Sequence, residues 1–180
     1  MKKRIFDIIF SFLGLIFLFV LLLPIWLIAV FDTKSNGIFS QKRIGQYGNL
    51  FIIIKFRTIH VKNNTISPVG LKIRKLKLDE LPQLLNILRG DMSFVGPRPD
   101  VKGFADELNG EDRIILNIKP GLTGPATLYY KNEEQILANQ TNPSEYNKNV
   151  IWPQKVKLNK RYVKNNSIFG DIHIILKTLF

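Results

Sequence analysis

No charged side chain occurs between Ile8 and Phe31, a run of 24 residues. As a helix this run would be roughly 36 Å long, against about 30 Å for the hydrocarbon core of a bilayer. It commits this end of the chain to a membrane. A cleaved signal peptide is disfavoured by the length of the run and by the lack of a small-residue cleavage site after it. A single spanning anchor is the simple arrangement, and two features argue for another. Pro24 stands inside the run, where a proline removes a backbone hydrogen bond and bends a helix. Both flanks are basic: Lys2, Lys3 and Arg4 before, then Lys34, Lys42, Arg43, Lys55 and Arg57 after. A spanning helix keeps its positive flank in the cytoplasm. Matched flanks favour a re-entrant helix hairpin over residues 1–35, kinked near Pro24, with residues 36–180 forming a domain on the cytoplasmic face.

The net charge of +12 is unevenly placed. Through Lys75 there are 12 Lys and Arg against two acids, and beyond it 14 against 12. A basic first half implies an anionic partner, nucleic acid or a membrane surface. The apolar entry decides for membrane lipids and against nucleic acid. With no cysteine, a disulfide framework, a thiolate metal site and a Cys nucleophile are all excluded. A chain of 180 residues supports one compact domain with one appended segment.

The pattern of elements is α+β. Residues 38–44 and 50–58 read as a β-hairpin around the glycine-containing loop 45–49, with Lys55 and Arg57 on one face of the second strand. Residues 61–68 read as a loop, 71–77 as a basic segment, 104–118 as a helix and 119–125 as a tight turn. Glu133 and Glu134 open a further helix. The segments 155–164 and 168–180 read as amphipathic helices suited to a membrane interface. His60 and His173 are isolated and form no zinc site.

The chemistry concentrates between Lys77 and Asp100. Leu78, Leu81, Leu84, Leu85 and Leu88 recur at helical spacing, and Pro82 belongs in a first helical turn. Asp79 and Glu80 therefore stand at a helix start, with at least one carboxylate free for chemistry or for a metal. Arg74, Lys75 and Lys77 crowd one side. Arg98 sits in the stiff triplet Pro97-Arg98-Pro99, which presents a guanidinium for bidentate phosphate binding. Carboxylates for Mg²⁺ beside cations for phosphate suggest phosphoryl transfer.

The run from Leu78 to Pro99 resembles the signature of the bacterial small monotopic phosphoglycosyl transferases, and the resemblance covers nearly the whole chain. It implies an enzyme of the bacterial inner membrane, monotopic on the cytoplasmic face. Such an enzyme moves a phospho-sugar from a UDP-sugar to polyprenyl phosphate and starts a membrane-linked glycan. By resemblance Asp79 is the nucleophile, attacking the β-phosphate and releasing UMP before polyprenyl phosphate takes the phospho-sugar from it. Glu80 is the Mg²⁺ ligand, and Lys55, Arg74 and Arg98 contact phosphate. Cations are needed because two unit negative charges 4 Å apart repel by about 4 kcal/mol at an effective dielectric near 20. Asp79 is expected to be ionised at its ordinary pKa. Lys131 falls where many members carry an arginine that contacts the nucleotide sugar, and it supplies charge without a bidentate fork. Leu23 stands where members often have serine, Ile59 where they have methionine, and Pro125 where they have an aromatic residue. A homo-oligomer is compatible with this reading. The alternative is a non-catalytic basic adaptor that binds lipid at the membrane surface.

Overall fold

The structure, a computed structural model, describes residues 2–179. It divides into two compact units, Met1–Arg43 with Leu50–Met92, and Ile44–Asn49 with Ser93–Phe180.

The first unit begins with α1, Lys2–Thr33. It is long and apolar enough to cross a membrane, with a mean hydropathy of 3.0 in its most apolar window. The helical assignment is continuous from Lys2 to Thr33, with Pro24 inside it. Proline forfeits only the bond that its own N–H would give to Val20, and a long helix absorbs that loss by bending. The buried residues Asp7, Ser11, Ile25, Ala29 and Thr33 mark one face. Elsewhere large apolar side chains stand open, Phe17, Val20 and Phe31 being 74, 75 and 76 % exposed.

That buried face packs along its length on the rest of the unit. Arg4 donates to the carbonyls of Ile87 and Leu88 at 2.6 and 2.8 Å, the C-terminal end of a later helix, where a cation also meets the negative pole. Gly14 lies against Leu84. Further along, Leu22, Ile25 and Ala29 join Ile38, Phe56, Ile73, Leu78 and Leu81 in an apolar cluster.

The hairpin follows as β1, Ile38–Ile44, and β2, Leu50–Phe56. After it comes α2, Pro68–Lys75, in a stretch whose polarity suggested only a loop leading to a basic segment. The start signal was present: Ser67 accepts from the amide of Gly70 at 2.9 Å and Pro68 takes the first helical position. Ser67 also donates to Asp32 Oδ2 at 2.8 Å, tying α2 to the end of α1. A 3-10 turn, Leu78–Glu80, and α3, Gln83–Arg89, complete the unit. Pro82 caps α3 instead of lying within it, because it lacks the N–H that would carry a helix back through the turn.

In the second unit β3, Ser93–Val95, pairs in parallel with β4, Gly121–Thr123, in register Ser93 with Gly121 and Val95 with Thr123. The expected tight turn at 119–125 is therefore partly a strand. Its glycines permit an unusually close approach, since a Cβ on Gly121 would lie 2.1 Å from the amide nitrogen of Gly96. The expected helix at 104–118 is instead two 3-10 stretches, Ala105–Glu107 and Gly110–Asn117. Leu108 and Asn109, both extended at ψ 136° and 167°, separate them, and Gly110 opens the second stretch at φ +57°.

The remaining helices are α4, Pro125–Tyr129; α5, Glu133–Ala138; α6, Pro143–Tyr146; α7, Trp152–Asn165; and α8, Ile168–Leu179, with a π-helical stretch, Asn147–Ile151, joining α6 to α7. Ile44, Ala105, Ile115, Leu116 and Val156 form the core here, with Phe104 edge-on to Trp152. Lys155 pairs with Glu133 at 2.6 Å and Lys160 with Asp112 at 2.7 Å. On α8, Phe169, Ile172, Leu176 and Leu179 form an exposed apolar stripe at helical spacing.

Candidate active site

Leu78 and Leu81 point into the apolar cluster of the first unit, which leaves the turn between them to present Asp79 and Glu80. Lys77 makes this turn by adopting a left-handed conformation, φ +55°, directly after the end of α2. Both carboxylates are buried, at 8 and 9 % exposure. Two ionisable acids side by side in so little water need cations. Lys55, on β2, places Nζ 2.7 Å from Glu80 Oε1. The last turn of α2 brings Arg74, whose charge acts on Asp79. Lys55, Arg74, Asp79 and Glu80 thus form one constellation within the first unit.

The environment of Asp79 departs from expectation. Its pKa is raised to about 6, first by burial and then by the neighbouring Glu80 charge. Lys55, Arg74 and its own backbone N–H pull the other way and offset the rise only in part. The carboxyl is not a surface acid at its ordinary pKa. At pH 7 a group of pKa near 6 is still about nine-tenths ionised, so a carboxylate nucleophile is available, held less comfortably than in water.

Arg98 and Lys131 belong to the second unit. The backbone around Arg98 is fixed by the β3–β4 pair, with Gly96 N–H donating to Thr123 and Gly121 N–H to Pro97 at 2.9 and 2.8 Å. Pro97 and Pro99 are buried while Arg98 between them is an exposed residue. Lys131 donates to the carbonyl of Lys177 at 2.9 Å, so its ammonium caps the last turn of α8. Asp171 is almost wholly buried and accepts a 2.6 Å bond from the Tyr162 hydroxyl, which also lies 3.2 Å from the carbonyl of Val95. That bond pins α8 and α7 to β3, and nothing in the spacing of Tyr162 and Asp171 announced it.

The family model described as "Bacterial sugar transferase" matches residues 1–180. The chain belongs to the bacterial sugar transferase family. Among its relatives is the exopolysaccharide production protein ExoY of Rhizobium meliloti, 31 % identical over 99 % of this chain and 84 % of that protein. Another is the UDP-glucose:undecaprenyl-phosphate glucose-1-phosphate transferase of Caulobacter vibrioides, 31 % identical over 99 % of this chain and 68 % of that protein. The undecaprenyl-phosphate galactose phosphotransferase of Salmonella typhimurium is 32 % identical over 98 % of this chain and 39 % of its own length. As a bacterial sugar transferase the protein is an enzyme, and its membrane association follows from α1 and from this kinship.

Proposed function

We propose that this transferase moves a phospho-sugar from a UDP-sugar to polyprenyl phosphate through a covalent intermediate on Asp79. What carries the reading is a buried, ionised Asp79 beside Glu80, with Lys55 and Arg74 supplying the compensating charge. An Asp79 oxygen attacks the β-phosphorus of the donor. The bond from that phosphorus to the oxygen bridging the two phosphates breaks, and UMP leaves. A phosphate oxygen of the polyprenyl acceptor then attacks the same phosphorus, restoring the carboxylate and giving the lipid-linked diphosphosugar. Neither step needs a proton taken from the nucleophile. Lys55 and Arg74 reduce the repulsion between anion and anion, and Arg98 presents a guanidinium suited to phosphate. The names of the Caulobacter and Salmonella relatives support both the donor class and the lipid acceptor.

Among the described residues no three His, Cys, Asp or Glu side chains converge on a ready-made cation site. Mg²⁺ fits such a place, because it commonly takes one or two carboxylates and completes its shell with substrate phosphates and water. Glu80 would hold it, and the bound ion would lower the negative charge on the diphosphate.

The same reading places the enzyme on one face of the bacterial inner membrane, the cytoplasmic one. An isolated span would hold its apolar stretch clear of the hydrophilic body. Here Arg4, Gly14, Leu22, Ile25 and Ala29 all touch the one unit that also carries Asp79. The apolar stripe of α8 is suited to a lipid surface. A lipid-binding adaptor would have no use for a desolvated acidic pair.

The reading is tested by incubating the purified protein with UDP-sugars and Mg²⁺ but without lipid acceptor. One equivalent of UMP and a protein mass increase equal to one phospho-sugar, lost under Asp79→Asn, are expected. UMP release that requires the lipid and leaves no adduct would point to direct transfer. The pH profile gives a second expectation. Protonation of Asp79 removes the nucleophile, so the first-step rate should fall about tenfold per pH unit below its pKa, which lies at about 6. Rapid-quench UMP release measures this, and a flat profile across the acid range would contradict it.

A further inference from the structure

Asn86 lies within α3 and none of its surface is exposed. A buried amide in a short helix is costly unless its polar atoms are paired. Here they are. Oδ1 accepts from the backbone N–H of Ile54 at 3.1 Å, and Nδ2 donates to the carbonyl of Ile52 at 2.7 Å and to Asp91 Oδ2 at 3.2 Å. Bonds to residues 52 and 54, straddling Ile53, are those that a residue of a parallel strand would make. One side chain thus stands in for a third strand along the edge of β2 that β1 leaves open. The main-chain carbonyl of Asn86 also accepts from the amides of Gly90, Asp91 and Met92 at 3.1, 3.0 and 3.3 Å, closing the end of α3.

Ile53 and Lys55, two residues apart on a strand, share a face. The register that Asn86 imposes at Ile53 is therefore inherited by Lys55, and a slip of one residue would turn Lys55 away. From Asn86 the chain leads back through Pro82 to Glu80, and Glu80 meets Lys55. The contacts close a ring. We propose that Asn86 is a positioning residue for phospho-sugar transfer, setting the register of β2 on α3 so that the Lys55 ammonium is held against Glu80 beside the nucleophile. This rests on the reading of that turn as the reaction centre.

The test uses the full chain in detergent or lipid, with Asn86→Asp as the near-isosteric variant and Asn86→Ser as a smaller one. The aspartate keeps an acceptor for Ile54 but sets an anion against the Ile52 carbonyl and Asp91. Lysine acylation read by peptide mass spectrometry should show Lys55 labelling raised at least about threefold, with Lys75 and Lys102 unchanged, as selective local opening requires. Turnover should fall about tenfold or more in the Lys55 background, yet less than about twofold in a Lys55→Met background, because the two side chains act as one unit. Equal losses in both backgrounds, unchanged Lys55 labelling, or unfolding of both variants as a whole would each overturn the proposal. The labelling does not depend on the identity of the nucleophile. If Asp79→Asn kept full turnover, the mechanism would fall while the Asn86–Lys55 linkage was still read directly.

Discussion

Replacing Asp79 by asparagine is expected to reduce turnover by at least about a thousandfold, since the amide is no nucleophile, while making the protein harder to unfold. The two effects share one cause. Burial and the adjacent Glu80 raise the pKa of Asp79 from 3.8 to about 6. A group whose pKa rises on folding favours the folded state most when protonated. That contribution is complete below pH 3.8 and drains away as the pH climbs through about 6. At neutral pH the ionised side chain therefore costs the fold on the order of 3 kcal/mol, from about 1.4 kcal/mol per pKa unit. Asparagine carries no charge to desolvate, so Asp79→Asn should melt several degrees higher near pH 7, with the gap closing toward pH 4. Thermal unfolding of both proteins at several pH values measures this. An inactive variant that melted lower at every pH would show that the strained carboxylate is not where stability is lost.

A second large effect is expected in the other unit. Gly121→Ala would place a Cβ 2.1 Å from Gly96 N and 2.4 Å from the Thr123 carbonyl oxygen. Those neighbours are backbone in a paired strand and cannot rotate aside. The loss should reach or exceed about 3 kcal/mol, the upper end for overpacking, and lower the melting temperature by roughly 10 °C for a chain of this size. Gly110→Ala is the control. Nothing lies within 4 Å of the added methyl there, and only the positive φ of 57° opposes it, a cost of about 1 kcal/mol. Equal melting shifts for the two variants would mean that the β3–β4 approach is looser than described.

How much of this could be read from residues alone varied with how local the cause was. The apolar entry, the hairpin and the two last helices announce themselves by hydrophobic length and periodicity, which depend on neighbours in the chain. Asp79, Glu80, Lys55 and Arg74 were singled out by residue type and motif, and the structure brings them together. Their electrostatics was another matter. The burial that raises the pKa of Asp79 comes from packing around the turn, and no residue count reveals it. The helix drawn over 104–118 failed at Leu108 and Asn109, where the backbone is extended, because apolar spacing in that stretch outweighed the Asn109-Gly110 pair that punctuates it. The strand at 121–123 was hidden because three residues are too few for a period, and its partner lies near residue 94. Asn86 escaped notice for a similar reason. An asparagine in a leucine-rich helix looks like an ordinary polar position until Ile52 and Ile54 are seen at its amide.

The seating of α1 bears on how this enzyme can be handled. Arg4 satisfies the last carbonyls of α3, Gly14 backs Leu84, and Ala29, at 1 % exposure, is sealed among side chains that support the Asp79 turn. Trimming away the greasy leader to obtain a water-soluble fragment would strip one wall from the apolar cluster that holds the Asp79 turn, the reaction centre proposed above. Any amphiphile that wedges between this helix and its bed should poison the chemistry while leaving every reacting residue in place.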